Sequence, residues 1–451
     1  MSLIRQSVQT LYNKAISAYT QGKPKEASDL LLRYVAEVGH QPTALKILGI
    51  CYFDQGEYTH AIQAFEKVTA IDTTDHEVWF NLAVCHTKNQ KWGDAIHCFL
   101  RCEALHPENW KVLSGLGDAY ITSNQINEAI SSYMRAIQIR GIGAQDLLFK
   151  LSQVLLLNGA WDEGWELFES RLALDTANRT HVNLARWQGQ ALEGKHILVE
   201  CEQGFGDSLQ FARYLHLLQH MGAHITLACP LPLMHLFKHS FPDVMLLPPR
   251  AQISPDSIDF YVPMMSLAGL FKTRISDVPC LDPYLSTPPE YQAKWSWLGK
   301  SSDLKIGIVW SGNPNHKNDK NRSIAFDQFF NALPNHAHYF SIQKGEDIHH
   351  LKAPANLTVL GSEIENFSDT AAICQHMDVV ITVDTSIAHL CGALGINSYV
   401  LLPYSPDWRW LLTRDDSVWY KSVRLFRQSD VGNWDVVMHK IREHLLTLQH
   451  K

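Results

Sequence analysis

Small and apolar residues recur at a fixed spacing in the first third of the chain. Alanines stand 34 residues apart at Ala27, Ala61, Ala95 and Ala129. Four positions after each alanine comes a large apolar or aromatic residue: Leu31, Phe65, Phe99 and Tyr133. Five positions before each alanine comes a residue that suits a turn: Gly22, Gly56, Gln90 and Asn124. Because positions four apart share one face of a helix, the pattern predicts repeated helix pairs with a flexible or left-handed residue in each turn.

The repeat runs from about residue 8 to 175, with a fifth, shifted copy at Gly164 and Phe168. A period of 34, with small residues where helices cross, resembles the tetratricopeptide family. The resemblance implies an α-helical superhelix over residues 1–178 whose concave surface binds a protein or peptide partner. A packing or dimerisation platform is the alternative. The position of the asparagine ladder in some relatives reads Asn13, Ile47, Asn81, Gly115 and Lys150, so the ladder is interrupted.

A different pattern begins at Lys195. Short apolar runs such as HILVE, ITLAC and DVVITVD alternate with helical stretches, which predicts an α/β region with parallel sheets. We divide this region into a first lobe at 190–285, a proline-marked linker at 286–304 and a second lobe at 305–451 with a closing helix. Ligands of such sheets bind beyond the carboxyl ends of the strands, so we expect a cleft between the two lobes.

One candidate site follows the run DVVITV. Asp384 ends this predicted strand, and Thr385 and Ser386 open a helix whose free N–H groups would attract a phosphate. His389 lies one helical turn further on. The alternative is structural: a hydroxyl that caps the helix and a histidine that is satisfied in the core.

A second candidate is the polar loop WSGNPNHKNDKNRSI, which follows the run KIGIV. Its cations can neutralise a diphosphate, and its glycine and asparagines allow tight bends. The candidates for donor binding in this loop are Ser311, Asn313, Lys317 and Arg322, with Lys320 as a further cation. A solvated basic loop is the alternative, although a polar loop of this length is unusual without a function.

Two further loops carry acidic residues. Asp207 in EQGFGDSLQF follows the first strand of the first lobe, where it serves either as an acid–base group or as a helix cap. The loop SIQKGED places Gln343, Lys344 and Glu346 where a carboxylate could accept hydrogen bonds from ribose or a base; a surface turn is the alternative. In PYSPDWRWLL we interpret Trp408 and Trp410 as core residues.

Taken together, GFGDSLQF, WSGNPNHKNDKNRSI, VDTSIAHLCGALG and PDWRWLL resemble bacterial tetratricopeptide-containing glycosyltransferases. The catalytic half of that family is similar to heptosyltransferase-like enzymes of the two-lobed GT-B fold, which has two Rossmann-like lobes. The resemblance implies inverting, metal-independent transfer from a nucleotide-diphosphate sugar, with Asp207 as the base. The donor-binding Asp-Thr-x-x-x-His stretch of those enzymes matches Asp384, Thr385, Ser386 and His389. Ser386 stands where many of them have glycine, and Lys317 or Arg322 takes the place of their phosphate-binding lysine.

Composition bears on the kind of partner and on the compartment of the protein. A formal charge of -7 argues against a nucleic-acid partner, and no apolar run is long enough to span a membrane. The first residues lack the apolar core of a signal peptide, and the nine cysteines form no Cys-x-x-Cys pair, which favours a reducing cytoplasm.

The sequence contains no Asp-x-Asp, so we expect no metal and no cofactor beyond the nucleotide sugar as co-substrate. A polypeptide presented by the repeats is the favoured acceptor. The alternatives are a glycan or lipid-linked acceptor, a sugar-nucleotide epimerase, and a non-catalytic repeat scaffold.

Overall fold

The computed structural model describes residues 2–174, 184–279, 283–300, 304–345 and 354–448. The chain divides into two compact units, Met1–Val154 and Leu155–Lys451. The boundary falls before the end that the sequence predicts for the repeat region, residue 178, which itself lies outside the described residues.

The first unit is a series of paired helices. They are α1 (Ser2–Thr20), α2 (Pro24–Val38), α3 (Pro42–Asp54), α4 (Tyr58–Ile71), α5 (His76–Lys88), α6 (Trp92–Leu105), α7 (Trp110–Thr122), α8 (Ile126–Arg140) and α9 (Gln145–Leu157), of which α9 continues into the second unit. Proline at the first helical position starts α2 and α3, where its missing N–H costs nothing.

The repeated residues occupy the positions that the spacing predicts. The four alanines are fully buried, and an added methyl group on Gly49 would lie 2.5 Å from the ring of Phe65. The turn residues Gly22, Gly56, Gln90 and Asn124 all have positive φ angles between 58° and 76°. The period therefore reflects two requirements, close helix crossing and left-handed turns.

The second unit begins with two helices and a first lobe built on four strands. In chain order these are α10 (Trp161–Phe168), α11 (Arg171–Leu174), β1 (His196–Glu200), α12 (Phe205–Phe211), α13 (Leu215–His220), β2 (His224–Ala228), α14 (Met234–Ser240), β3 (Met245–Leu247), β4 (Phe260–Pro263) and α15 (Leu267–Leu270). The helical stretch predicted after β1 is interrupted by a 3-10 turn at Ala212–Tyr214, which separates α12 from α13.

The second lobe follows, built on six strands. Its elements are α16 (Pro289–Lys294), β5 (Lys305–Val309), α17 (Asp319–Arg322), α18 (Phe326–Asn331), β6 (His338–Ser341), β7 (Leu357–Val359), α19 (Phe367–Gln375), β8 (Val379–Val383), α20 (Ser386–Leu394), β9 (Ser398–Leu402), β10 (Val423–Arg427) and α21 (Asp435–Thr447). The apolar runs predict these strands correctly, and α21 is the predicted closing helix.

Both sheets are parallel, and their strand orders are β3-β2-β1-β4 and β10-β9-β8-β5-β6-β7. The six-stranded order is that of dinucleotide-binding folds. In these folds the strands are first added on one side of the first strand and then on its other side, so the order of addition reverses beside that strand. The reversal occurs between β5 and β8, where Ile306 pairs with Val379. In the smaller sheet it occurs between β1 and β4. Ligands of such sheets bind at these reversal points.

The six-stranded sheet is covered on both faces, as a parallel sheet requires. One face packs Ile306 and Ile308 of β5 against Val437 and Ile441 of α21. On the other face, Val309 and Val380 belong to a core cluster with Ile373 of α19. The predicted linker contains α16, and Trp295 and Leu298 just beyond it are buried in this second cluster. This segment is therefore part of the second-lobe core.

Candidate functional site

The turn from β8 to α20 forms one side of the candidate site. Thr385 is the N-cap residue of α20: its hydroxyl accepts from the Ile387 N–H at 3.3 Å and lies 3.0 Å from the hydroxyl of Thr382. Thr385 therefore caps the helix, which is its structural alternative. Because the capping group is a neutral hydroxyl, the cap adds no charge to the amino end of α20. Ser386, the first residue of the helix, is half-buried. Such a helix end favours an anion.

The loop after β5 reaches this turn through Arg322. Its Nη1 donates to the backbone oxygen of Asp384 at 2.8 Å, and its Nε donates to Asp319 at 3.2 Å. An added methyl group on Gly312 would lie 2.5 Å from both Arg322 and Asp319, so a side chain at this position would have to displace them. Of the two phosphate-binding candidates, the structure therefore brings Arg322 to the α20 turn, whereas Lys317 lies exposed on the loop.

The other predicted residues of this loop contact the loop itself or the sheet. Ser311 is buried, and its N–H donates to Oε1 of Gln343 at 3.1 Å. The side chain of Asn313 accepts from the Asn315 N–H at 3.0 Å and lies exposed. These contacts fix the loop conformation.

Within the described residues, the loop after β6 makes hydrogen bonds to other parts of the second lobe. Gln343 is buried and accepts from the backbone N–H groups of Trp310 and Ser311. Lys344 donates to the backbone oxygen of Ile364 at 3.0 Å. Glu346 lies outside the described residues. Nucleotide binding by this group stays a prediction.

His389 is buried at the centre of an aromatic cluster. Its Nδ1 lies 3.0 Å from the Tyr420 hydroxyl, and its ring stacks on Trp410 with centroids 5.3 Å apart. Burial lowers the pKa of His389 well below its ordinary value, and the guanidinium groups of Arg409 and Arg213 lower it further. The imidazole is therefore neutral at physiological pH.

The start of α12, in the first lobe, lies against the start of α20. A methyl group on Gly206 would lie 2.9 Å from Cδ2 of His389 and 3.5 Å from Cα of Ser386. Only glycine allows this approach, so the turn after β1 meets the turn after β8. Asp207 comes next in the chain, and the predicted juxtaposition of Asp207 with the α20 turn is present in the structure.

The sequence predicts that Asp207 precedes the helix. In the structure Asp207 lies inside the first turn of α12, because the helix already begins at Phe205. One carboxylate oxygen accepts from the Gly204 N–H at 2.8 Å, and the other forms an ion pair with Arg409. Burial raises the pKa of Asp207, while the Arg409 guanidinium and the Gly204 N–H oppose that rise.

Sequence reasoning missed Arg409 and Asp407. They lie in PDWRWLL, in which the sequence assigns a role to the tryptophans alone; Trp408 and Trp410 are buried, as predicted. Arg409 is also buried and donates to Asp407 at 2.8 Å. The signal available was a cation between two tryptophans, since a buried charge needs partners.

Asp384 completes the cluster as a half-buried acid. Burial, with the nearby Asp407 carboxylate, raises the pKa of Asp384 to about 6, against the influence of Trp410, Arg322 and Arg409. The site thus combines two acids of raised pKa, two guanidinium groups and an uncharged helix start. This combination suits anion binding next to a proton acceptor.

Two surface concavities, of about 340 and 420 Å³, lie elsewhere, at the amino ends of the strands of the two sheets. Within the described ranges, no group of three His, Cys, Asp or Glu side chains is arranged to hold a metal ion. Among the same residues, no helix is long and apolar enough to cross a membrane.

Comparison with known proteins identifies the repeats. Tetratricopeptide repeat models match residues 12–76 and 111–141. Protein FlbA of Caulobacter vibrioides is 27% identical over 75% of this chain, which spans 61% of that protein. Heat shock protein STI1 of Saccharomyces cerevisiae is 28% identical over 20% of this chain and 16% of its own length.

Among solved structures, the crystal structure of MamA is 23% identical, with a TM-score of 0.34, and the match covers 35% of this chain and 92% of MamA. The family models show that the N-terminal region of the chain is a tetratricopeptide repeat array, and an α/β region with parallel sheets follows it.

Proposed function

We propose that this chain is a metal-independent, inverting glycosyltransferase of the GT-B type that uses a nucleotide-diphosphate sugar. The observation that carries the proposal is the contact of Gly206 with Ser386 and His389. In this contact Asp207, which follows the strand at the reversal point of one parallel sheet, lies near the uncharged start of α20 at the reversal point of the other, and the arrangement supports a proton acceptor beside a bound diphosphate.

In the proposed reaction, Asp207 accepts the proton of an acceptor hydroxyl. The oxygen forms a bond to the anomeric carbon as the bond to the diphosphate breaks, and that electron pair leaves with the diphosphate. Transfer through an oxocarbenium-like state in a single displacement inverts the configuration. The raised pKa of Asp207 makes this carboxylate a stronger base than an exposed aspartate.

The second lobe stabilises the leaving group in this proposal. The start of α20 supplies backbone N–H groups and the helix dipole. Arg322, fixed by Asp384 and Asp319, supplies positive charge, and exposed Lys317 is placed on the same loop. Fixed dipoles and cations of this kind stabilise developing negative charge without reorganisation.

Donor binding is tested with a thermal-shift screen of nucleoside diphosphates, with and without EDTA. A ligand present at 100 times its Kd stabilises the folded state by about 2.7 kcal/mol, so a genuine ligand raises Tm. We expect a shift with at least one diphosphate that EDTA leaves unchanged. A shift that disappears with EDTA contradicts the metal-free mechanism, and no shift with any nucleotide contradicts the proposal as a whole.

We further propose that the acceptor is a polypeptide bound by the repeats, in the cytoplasm, where buried thiols such as Cys98 and Cys374 stay reduced. Removing residues 1–140 leaves α9 intact. The truncated protein should lose transfer to a protein acceptor and keep transfer to a small one. Circular dichroism must first establish that it folds, because removing repeats exposes an apolar face. If the folded truncation keeps full activity on the protein acceptor, the repeats do not present the substrate.

A non-catalytic scaffold is the second candidate, and one observation favours it. Both carboxylate oxygens of Asp207 already have partners, Arg409 and the Gly204 N–H, as expected of a purely structural acid. A scaffold would bind a partner through the repeats and show no thermal shift with any nucleoside diphosphate. The same screen therefore separates the two functions.

A further inference from the structure

Arg409 connects the two lobes at the candidate base. Its Nε donates to Oε1 of Gln210 at 2.7 Å, and its Nη2 forms the ion pair with Asp207; both partners lie on α12 of the first lobe. From the second lobe, Asp407 accepts from Nη1 at 2.8 Å, and the guanidinium lies 4.2 Å from the centre of the Trp408 ring. One buried cation therefore has partners on both sides of the lobe boundary.

The two contacts to α12 fix the orientation of Asp207. Gln210 lies three residues after Asp207 on the same helix, and Gln210 is fully buried. The rigid guanidinium fork contacts both side chains at once, which a lysine ammonium cannot reproduce. The Gly204 N–H holds the second oxygen of Asp207, so the carboxylate has little freedom to rotate.

We propose that Arg409 is a positioning residue, which aligns the Asp207 carboxylate for proton transfer and ties that alignment to contact between the lobes. The inference rests on the proposed role of Asp207 as base. Arg409 itself is buried, and its donors are directed at Gln210, Asp407 and Asp207, so it acts through Asp207.

The charges around Asp207 give this role a signature in pH dependence. Arg409 is the cation paired with it, and the cluster also contains Asp407, His316, Asp384, His389 and Arg322. Arg409 lowers the pKa of Asp207 and Asp407 raises it. Without Arg409, burial and Asp407 act unopposed by the ion pair, so the pKa of Asp207 rises.

The test compares Arg409→Gln and Arg409→Lys with Arg414→Gln, which removes a half-buried arginine that forms an ion pair with Asp416 in the same segment. A misplaced base costs on the order of 10²-fold in kcat, with the donor KM nearly unchanged. Loss of an opposite charge shifts the acidic limb of the kcat/KM profile upward by roughly one unit or more. We expect both effects in Arg409→Gln, the loss of kcat with a smaller shift of the pH profile in Arg409→Lys, which keeps the positive charge, and neither in Arg414→Gln.

A double variant controls for general destabilisation. If Arg409 acts through Asp207, adding Arg409→Gln to Asp207→Asn should reduce the remaining turnover by less than about threefold, because residues that act as a unit are not additive. A full further loss of about 10²-fold in that background overturns the inference, as does an unshifted pH profile in Arg409→Gln.

Infrared spectroscopy separates this inference from the proposed activity. The carboxyl band that is lost in Asp207→Asn belongs to Asp207, and its titration needs no turnover. In Arg409→Gln the band should titrate at higher pH than in wild type. An unchanged titration overturns the coupling even in an active enzyme. A shifted titration in a protein that transfers no sugar supports the Arg409–Asp207 coupling while the proposed function fails.

Discussion

The two helices that start at the candidate site, α12 and α20, differ in how their amino ends are satisfied. The start of α12 contains its own carboxylate, since Asp207 lies in the first turn and accepts from the Gly204 N–H. The start of α20 is capped by the neutral hydroxyl of Thr385. One helix end is therefore already neutralised, and the other can accept an external anion.

This difference assigns separate roles to two turns that occupy equivalent places in their sheets. Each turn follows a strand at the reversal point of a parallel sheet, β1 or β8. A diphosphate near α12 would meet the charge of Asp207, whereas near α20 it would meet N–H groups and Arg322. Under the proposed function, proton transfer belongs to the first lobe and leaving-group stabilisation to the second.

Removing the charge of Asp207 should have the largest effect. Asp207→Asn keeps a group of the same shape, so donor binding should persist while kcat falls about 10²–10⁴-fold, the usual contribution of a general base. Steady-state kinetics and thermal shift on the same protein measure the two quantities. Asp243→Asn, an exposed acid at the amino end of β3, is the matched control. Surviving turnover would leave Asp207 with only its structural role.

Giving α20 a carboxylate of its own should abolish the difference between the helices. Ser386→Asp places a negative charge in the first turn of α20, where it would repel the diphosphate and compete for the N–H groups. We expect the Kd for the nucleoside diphosphate to increase on the order of 10–100-fold by calorimetric titration, because a fixed anion contact is lost. Ser386→Ala, which keeps the backbone site, should change the Kd only a few-fold. Equal losses in both variants would place the anion on the hydroxyl.

The sequence predicts the helices and strands of this site more readily than the side-chain contacts between them. Apolar runs locate every strand that carries it, since a buried parallel strand must be apolar on both faces. The 34-residue period likewise locates the turns at Gln90 and Asn124, whose φ angles are positive. These signals are local, so a single sequence contains them.

Contacts between lobes leave no comparable signal. Arg409 and Gln210 are 199 residues apart, and nothing near Arg409 specifies an acidic partner on α12. Arg322 and Lys317 looked equivalent on one loop, and only the folded chain brings Arg322 to the Asp384 carbonyl. The site could be predicted as a set of loops, while its ion pairs depend on tertiary packing.

The cap of α20 should contribute measurably to stability. Thr385→Ala removes the oxygen that accepts from the Ile387 N–H and should lower the free energy of unfolding by about 0.5–2 kcal/mol. Thr385→Ser retains the acceptor and should cost less than half as much. Urea unfolding measures both variants. If both are equally destabilised, the Thr385 methyl group matters more than the cap, and the contrast with α12 loses its basis.

The smallest expected effect concerns Asp384, whose pKa is raised to about 6 by burial and by Asp407. An acid with a raised folded-state pKa binds more protons in the folded state, so its contribution to stability declines as pH rises from about 4 to 6. Asp384→Asn removes that dependence. Its Tm relative to wild type should therefore increase across this window, by at most roughly a few degrees because solvent screens this half-buried acid, and stay constant above pH 7. Asp327→Asn, an exposed acid of the same lobe, controls for the loss of one carboxylate. A Tm difference that stays constant between pH 4 and 6, and instead decreases as pH rises toward 4, would mean that Arg322 and Arg409 outweigh burial and that Asp384 is a stabilised anion.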